Sequence, residues 1–500
     1  MMNTNKKSLL IVLCIIITVV MLTQCVCGEK KPSPAQTVSA RGIISDRNGL
    51  VLVSNDTSYV SDSAGAVIIR SYPNPVAAQL LGYVEYATPA DFADDNSYVE
   101  GDIIGKAGVE RYYDKWLRGK DGMPGRNLIL TIDYELQKLG EDLMEGKIGS
   151  IVAIEPSSGE VLCMVSTPTY NPQLLAGHRE KTNKRTLLQD SLKPLLNRSI
   201  MGLYSPGGIF KAAQGLVYLS ESIVSPQARY PCERGFNYNG LSIGCHGHPS
   251  PLTFVDALRT SCNGYFCHAH LDMMNHKKFR TVQNALEKWR EDITSLGFGN
   301  HLGIDLPHEK RGLIPNADFY DKAYRGQWSG LTILSNAIGQ GEILCTPLQL
   351  TNLSATIANR GHYYSPHVVR EIQGESINKK YKLQRITQVS RDAYDVVIHG
   401  MRQSVLCGTC RALSRLPIEA CGVSGMASYK EYYHSVFIGF APIEDPKIAI
   451  AVYVENGGWG AKYAALIGGY IMEKYLNGEL SEMSNEKVKQ IKEQHIVYEK

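Results

Sequence analysis

Two apolar runs near the end of the chain constrain its fold more than any other feature. Val436–Ala441 and Ile448–Val454 are separated by the turn sequence Glu444-Asp445-Pro446-Lys447. Short apolar runs with turn residues between them predict an antiparallel β-hairpin. A second hairpin is predicted for Ser150–Ile154 and Val161–Val165, which flank a Pro-Ser-Ser-Gly turn.

Helical patterns lie between and after these hairpins. Apolar residues recur at helical spacing near 208–222, 252–268 and 280–296, and again in Leu466–Leu476. Helices combined with antiparallel hairpins are typical of an α+β domain, in which helices pack beside a sheet. We therefore predict one such domain over residues 127–478. The charged tail, residues 479–500, is predicted to be a solvated helix or disordered.

The region before residue 127 reads as a smaller domain. A chain of 500 residues is too long for one ordinary core. Alternating apolar residues around Asn48-Gly49 predict a hairpin within Arg41–Asn55. We predict that residues 31–126 form a small domain that holds the next domain away from the membrane.

The N-terminal sequence indicates a membrane anchor. Lys6 and Lys7 precede an apolar run from Leu9 to Val26, and roughly 18–20 apolar residues suffice to cross a bilayer. Residues 1–30 are therefore predicted to be a single-pass membrane anchor with a cytoplasmic N-terminus, and the bulk of the chain is predicted to lie outside. A lipid anchor at Cys25 and a cleaved signal peptide are the alternatives. The net charge of +3, without a long block of like charge, gives no reason to expect nucleic-acid binding.

Twelve cysteines in an exported chain permit disulfides. Cys232 and Cys245 flank a short loop and are the candidate pair. Cys407 and Cys410 form a lone C-x-x-C without a second pair nearby, which is weak support for a metal or redox site. The sequence Cys245-His246-Gly247-His248 is more typical of a turn before a helix than of a metal cluster. No metal site and no cofactor are predicted.

Several sequence blocks in series resemble a known family. They include Arg41–Gly49, Gly105–Glu110, Leu130–Asp133, Gly339–Gly341 and Phe437–Pro442. In order and spacing these blocks resemble the class B penicillin-binding proteins, especially the elongation-type transpeptidases (penicillin-binding protein 2). The resemblance implies the penicillin-binding, serine-transpeptidase fold, with an antiparallel sheet flanked by helices and a helical subdomain. It also implies a peptidoglycan stem peptide as ligand and a membrane glycan polymerase as partner.

The pedestal of this family normally carries a long head region between the first two of these blocks. Here only about sixty residues separate Asn48 from Gly105. The resemblance therefore implies a shortened pedestal, in which the head and its partner contacts are missing or vestigial.

The family's three catalytic motifs are Ser-x-x-Lys, Ser-x-Asn and Lys-Thr-Gly. The resemblance places the first at Gly208–Lys211, where glycine replaces the nucleophilic serine and Lys211 is kept. It places the second at Ser261-Cys262-Asn263, which is intact. The third falls on Val423-Ser424-Gly425, where valine replaces the lysine that attracts a substrate carboxylate.

Glycine has no side chain that could attack a carbonyl, so an acyl-enzyme cannot form at Gly208. Ser205 lies six residues before Lys211 across a Pro-Gly turn, and this spacing does not place it on the lysine's helix face. We therefore predict a non-catalytic homologue that acts as a scaffold, regulator or stem-peptide binder. The alternative is an active D,D-transpeptidase with a non-standard nucleophile, such as Ser261 or one of the cysteines Cys262 and Cys267. A third hypothesis is that the chain is the product of a decaying gene and has no role.

Overall fold

The structure, a computed structural model, describes residues 39–59, 66–120, 122–176, 180–238 and 240–498. The predicted membrane anchor, residues 1–30, lies outside these residues. Among the helices in the described ranges, none has both the length and the apolar character that crossing a membrane requires.

Sixteen strands, sixteen α-helices and six 3-10 helices are found in the described part of the chain. The strands are β1 Ile44–Ser45, β2 Val51–Tyr59, β3 Ala66–Ser71, β4 Val84–Tyr86, β5 Ile103–Gly105, β6 Leu128–Leu130, β7 Gly149–Ile154, β8 Val161–Thr167, β9 Gly235–Tyr238, β10 Leu241–Gly244, β11 His362–Tyr364, β12 Val369–Ile372, β13 Gln384–Ile386, β14 Cys421–Tyr429, β15 Tyr432–Ala441 and β16 Ile448–Val454. The α-helices are Ala78–Leu81, Pro89–Asp94, Gly108–Tyr112, Asp114–Leu117, Tyr134–Leu143, Glu180–Gln189, Arg198–Met201, Lys211–Ser220, Phe254–Arg259, Asn263–Met274, Val282–Ser295, Ala317–Tyr324, Pro347–Ala358, Arg391–Cys407, Ala464–Asn477 and Glu482–Lys492.

The central sheet contains both hairpins predicted from the sequence. Its strand order is β14-β15-β16-β7-β8, and every pairing is antiparallel. All residues of β7, β8 and β16 are buried, because helices cover both faces of the sheet. Alternate residues of β16 enter two separate apolar clusters, one with helix Pro347–Ala358 and one with helix Ala464–Asn477. The α+β prediction is confirmed.

A second sheet connects the N-terminal region to the rest of the chain. Its order is β12-β6-β1-β2-β3, so two strands from beyond residue 127 continue the N-terminal strands. The hairpin predicted within Arg41–Asn55 is confirmed, since Ile44 pairs with Val53 across a turn in which Gly49 has φ +89°. The sheet makes the first domain a lateral extension of the second.

A buried ion network lies beside this sheet. The Glu110 carboxylate is fully buried, and it forms ion pairs with Arg41 Nη2 at 2.7 Å and with Arg70 Nη2 at 2.6 Å. Asp114 adds a further carboxylate 2.8 Å from Arg41 Nη1. Burial opposes the charge on Glu110, but the two guanidinium groups outweigh it and lower the pKa of the carboxyl. The network joins the segment before β1, strand β3 and the helices Gly108–Tyr112 and Asp114–Leu117 of the first domain.

The C-terminal tail forms a helix, one of the two predicted alternatives, and packs one narrow face against the protein while most of its residues stay exposed. Helix Glu482–Lys492 buries Val488 and Ile491, which share one face because they are three residues apart. The buried Lys147 donates from Nζ to the Ile491 carbonyl at 2.9 Å. Tyr498 donates its hydroxyl to the Glu455 carbonyl at 2.9 Å.

Candidate active site

A cleft of about 640 Å³ lies between the edge strand β14 and the surrounding helices and loops. It contains most of the residues that the sequence singled out. The lining residues are Gly208, Lys211, Gly244, Cys245, His246, Ser261, Asn263, Ile338, Gln340, Thr409, Ser424, Gly425, Met426, Ser428, Tyr433, Trp459, Gly460 and Ala461.

Gly208 lies in a 3-10 turn, Gly207–Phe210, that leads into the helix beginning at Lys211. Gly207 has φ +61°, and a Cβ there would lie 2.2 Å from the Met426 carbonyl oxygen, so the turn requires glycine at that position. Gly208 lies outside the positive-φ region, although a Cβ there would be in tight contact and its neighbours would have to move by a few tenths of an ångström. A Cβ at Gly208 would lie 3.7 Å from Lys211 Nζ, and 3.2 Å from both Ser261 Oγ and Gly425 Cα. The backbone therefore presents this position to the lysine.

Lys211 is buried and has a complete set of acceptors. Its Nζ donates to the Ser261 carbonyl at 2.7 Å, to Ser261 Oγ at 3.0 Å and to Asn263 Oδ1 at 2.7 Å. An ammonium group has three donors, so each proton has an acceptor within the protein. Burial lowers the pKa of Lys211 to about 8. The second predicted motif thus holds the lysine of the first motif in place.

A break between two helices positions this second motif. The predicted helical stretch 252–268 is two helices, Phe254–Arg259 and Asn263–Met274. Ser261 lies in the break with φ +55°, an uncommon conformation for serine that turns the chain into the cleft. Cys262 then caps the second helix, accepting a hydrogen bond from the Tyr265 backbone N–H at 3.3 Å.

The third motif lies on β14. Gly425 faces Gly208, and a Cβ at Gly425 would lie 2.8 Å from Gly208 Cα, so the strand and the turn are in close contact. Ser424 donates its hydroxyl to the Thr409 carbonyl at 3.3 Å. Val423 is buried and pairs with Ile438 on β15. Among the lining residues in the part of the chain that the structure describes, Lys211 is the only lysine or arginine, so within that part no second lysine or arginine marks the place of a substrate carboxylate.

Aromatic residues that the sequence did not single out lie at the mouth of the cleft. Trp459 is 60% exposed and Tyr433 53% exposed. The rings of His246 and Trp459 lie 6.3 Å apart in an edge-to-face arrangement, although they come from loops on different sides of the cleft. Their long sequence separation explains why no local pattern indicated them.

A cluster of thiols lies directly beside the second motif. The sulfur atoms of Cys232, Cys245 and Cys262 and a ring nitrogen of His248 all lie within 4.8 Å of one another. All three cysteines are free thiols in this structure, so the disulfide predicted between Cys232 and Cys245 is not formed here and stays a prediction. The two thiols of the predicted pair lie close together, and a third thiol and an imidazole lie beside them.

Three cysteines and one histidine are the ligand set of a tetrahedral structural zinc site. The four residues could hold Zn²⁺ without an open coordination position, which fits a structural role better than a catalytic one. The sequence favoured a turn and no metal at residues 245–248. The C-x-x-H spacing of Cys245 and His248 was the available signal, but the other two ligands come from separate segments.

We expect the protein to bind one zinc ion per chain, with a higher melting temperature than the metal-free form. A ligand present at a thousand times its dissociation constant adds about 4 kcal/mol to the stability of the state that binds it. Elemental analysis and thermal unfolding, each with and without a chelator, measure both effects. Cys262→Ser should abolish them, whereas Cys407→Ser, which alters an exposed cysteine outside the cluster, should leave them intact. A chain without zinc that melts at the same temperature with and without chelator contradicts the prediction.

Comparison with known proteins agrees with the fold. The family model for the penicillin-binding protein transpeptidase domain matches residues 149–473, and that for the penicillin-binding protein dimerisation domain matches residues 63–127. A peptidoglycan D,D-transpeptidase MrdA from Acinetobacter baumannii is 29% identical over 448 residues, which are 79% of this chain and 64% of the relative. The corresponding protein of Haemophilus influenzae is 27% identical over 81% of this chain and 69% of its own.

Solved structures give the same result. The structure of Pseudomonas aeruginosa PBP2 in complex with WCK 5153 is 30% identical and has a TM-score of 0.76, covering 89% of this chain and 98% of the other. Helicobacter pylori PBP2 is 25% identical with a TM-score of 0.77, covering 89% and 99%. The predicted penicillin-binding fold on a pedestal domain is confirmed. The chain belongs to the penicillin-binding protein transpeptidase family, as a class B member of the penicillin-binding protein 2 type.

Proposed function

We propose that this protein is a non-catalytic member of its family that acts in peptidoglycan synthesis at the cell envelope, as a scaffold, regulator or stem-peptide binder. The observation that carries the proposal is Gly208. The site around it is assembled, but the position that points at Lys211 and Ser261 has no side chain. Acyl transfer through a covalent intermediate needs a nucleophile within reach of its base, and this position cannot provide one.

The third motif supports the same proposal. A hydrogen bond to a charged group contributes about 1.5–3 kcal/mol, so the loss of the lysine at Val423 weakens carboxylate binding by about one to two orders of magnitude. A stem peptide bound here would depend on the hydroxyl of Ser424 and the amide of Asn263. Scaffolding or regulation therefore fits the cleft better than tight binding of a free peptide carboxylate.

A second candidate function rests on Ser261. Its hydroxyl is 3.0 Å from Lys211 Nζ and 3.2 Å from the point that a Cβ at Gly208 would occupy. An active D,D-transpeptidase could use Ser261 as its nucleophile, because the Ser261 hydroxyl already lies beside the lysine that would act as its base. Ser205 is not among the described residues that line the cleft, so it has no comparable support.

Intact-mass spectrometry of the full chain after incubation with a penicillin tests both candidates. We expect no covalent adduct, while an MrdA transpeptidase treated in parallel acquires the mass of one antibiotic. An adduct that disappears in Ser261→Ala would support the second candidate. An adduct that persists in this variant would contradict both.

The cellular setting is part of the proposal. We place the chain at the bacterial cytoplasmic membrane through residues 1–30, with the described domains outside. A glycan polymerase of the elongation machinery is the proposed partner, because the chain resembles the elongation-type class B penicillin-binding proteins. Cysteine accessibility to a membrane-impermeant reagent in whole cells tests the orientation, and crosslinking from the pedestal surface tests the partner.

A further inference from the structure

The three thiols beside the cleft differ in their access to solvent. Cys245 is half-buried and lines the cleft wall, Cys232 is 7% exposed, and Cys262 is fully buried. A reagent that enters the cleft therefore meets Cys245 first and finds Cys232 next to it. This gradient separates the roles that the three sulfur atoms can take.

Metal binding and disulfide formation compete for these atoms. A disulfide needs a sulfur–sulfur distance of about 2.0 Å, whereas the sulfur atoms here lie within 4.8 Å. Closing the gap requires movement of less than about 3 Å. Residues 245–250 have no regular secondary structure, and this segment can supply the movement. A disulfide would leave only two of the four donors, which is too few for a tetrahedral site.

We propose that Cys232 and Cys245 form an oxidation-sensitive site in which a disulfide and a bound zinc ion exclude each other. The oxidant is a low-molecular-weight disulfide, such as oxidised glutathione. The Cys245 thiolate attacks one sulfur of the oxidant, forms a mixed disulfide and releases one thiolate. Cys232 then attacks Cys245 and releases the second thiolate. The protein loses two electrons, the oxidant gains two, and the zinc ion leaves.

Oxidation of Cys245 affects the cleft through Asn263. The Asn263 backbone N–H donates to Cys245 Sγ at 3.3 Å, and its side-chain N–H donates to the Gly244 carbonyl at 2.7 Å. The same side chain accepts a hydrogen bond from Lys211. Oxidation therefore disturbs a residue that holds the lysine. The Cys232–Cys245 site therefore regulates the geometry of the cleft. This role does not depend on whether the cleft performs acyl transfer.

The full chain, purified under reducing conditions and loaded with zinc, is incubated with oxidised glutathione. A colorimetric chelator measures released zinc, and non-reducing peptide mapping identifies the linked cysteines. We expect stoichiometric zinc release together with a peptide pair joined through Cys232 and Cys245. Cys232→Ser lacks the resolving thiol, so its Cys245 should stop at the glutathione mixed disulfide.

Cys407→Ser is the matched control, since this exposed cysteine lies outside the cluster, and it should behave like the unmodified chain. Two results would overturn the proposal. In one, Cys407 reacts while Cys232 and Cys245 remain reduced. In the other, the two cysteines become linked and the zinc stays bound. Neither readout depends on penicillin, so failure here is distinct from failure of the proposed function.

Discussion

Replacing Gly208 by serine and Val423 by lysine in the same chain is expected to create a protein that penicillin acylates. A side chain at Gly208 would lie close to Lys211 Nζ, and the backbone there has no positive φ that would disfavour it. Removal of the nucleophile costs on the order of a millionfold in a serine protease, so its return should produce a change large enough to see as a mass increase. The pKa of Lys211, lowered to about 8 by burial, suits a group that takes a proton from serine near neutral pH.

The single variants separate the two losses. Gly208→Ser alone should react at a much lower rate, because no lysine at residue 423 attracts the carboxylate of the antibiotic. Val423→Lys alone should not react, because the nucleophile is still missing. Acylation rates of the three variants are measured by intact mass over time. A double variant that melts like the unmodified chain but forms no adduct would show that more than these two residues has been lost.

Glu110→Gln is expected to destabilise the first domain by about 3–5 kcal/mol, the usual cost of removing one partner from a buried ion pair. The substitution leaves Arg41 and Arg70 buried with Asp114 as the remaining carboxylate of the network. Urea unfolding, followed by the midpoint of the first transition, measures the effect.

The matched control is Glu375→Gln, which makes the same chemical change in the half-exposed pair with Arg126. Exposed ion pairs contribute about 0–1 kcal/mol, so this variant should unfold close to the unmodified chain. Equal midpoints for the two variants would refute a stabilising role for the buried network.

Local patterns predicted much of this structure. The hairpins at β7–β8 and β15–β16 were predictable because an apolar run, a turn and a second run lie within about 20 residues. The motif around Gly208 was predictable because it lies within a few consecutive residues and can be recognised in one stretch of sequence. The packing of the C-terminal helix was missed because its charged residues hide the short apolar face formed by Val488 and Ile491.

The thiol cluster could not be predicted because its members come from three segments. Cys232 precedes β9, Cys245 follows β10, and Cys262 caps a helix after a break in the chain. Only the folded arrangement places them within one ligand sphere, and the sequence favoured a two-cysteine bridge between Cys232 and Cys245 over a metal site. The exposed aromatic residues of the cleft, Tyr433 and Trp459, were missed for the same reason.

The three acceptors around Lys211 have a consequence for how enzyme families are surveyed by motif. Ser261 and Asn263 solvate a cation that the folded chain has already taken out of water, and this requirement does not depend on acyl transfer. Selection to keep the chain folded is then enough to preserve such a pair in a lineage that no longer performs acyl transfer. A retained Ser-x-Asn motif is therefore evidence of a buried lysine and not of activity. Activity must be judged from the residue that would carry the acyl group.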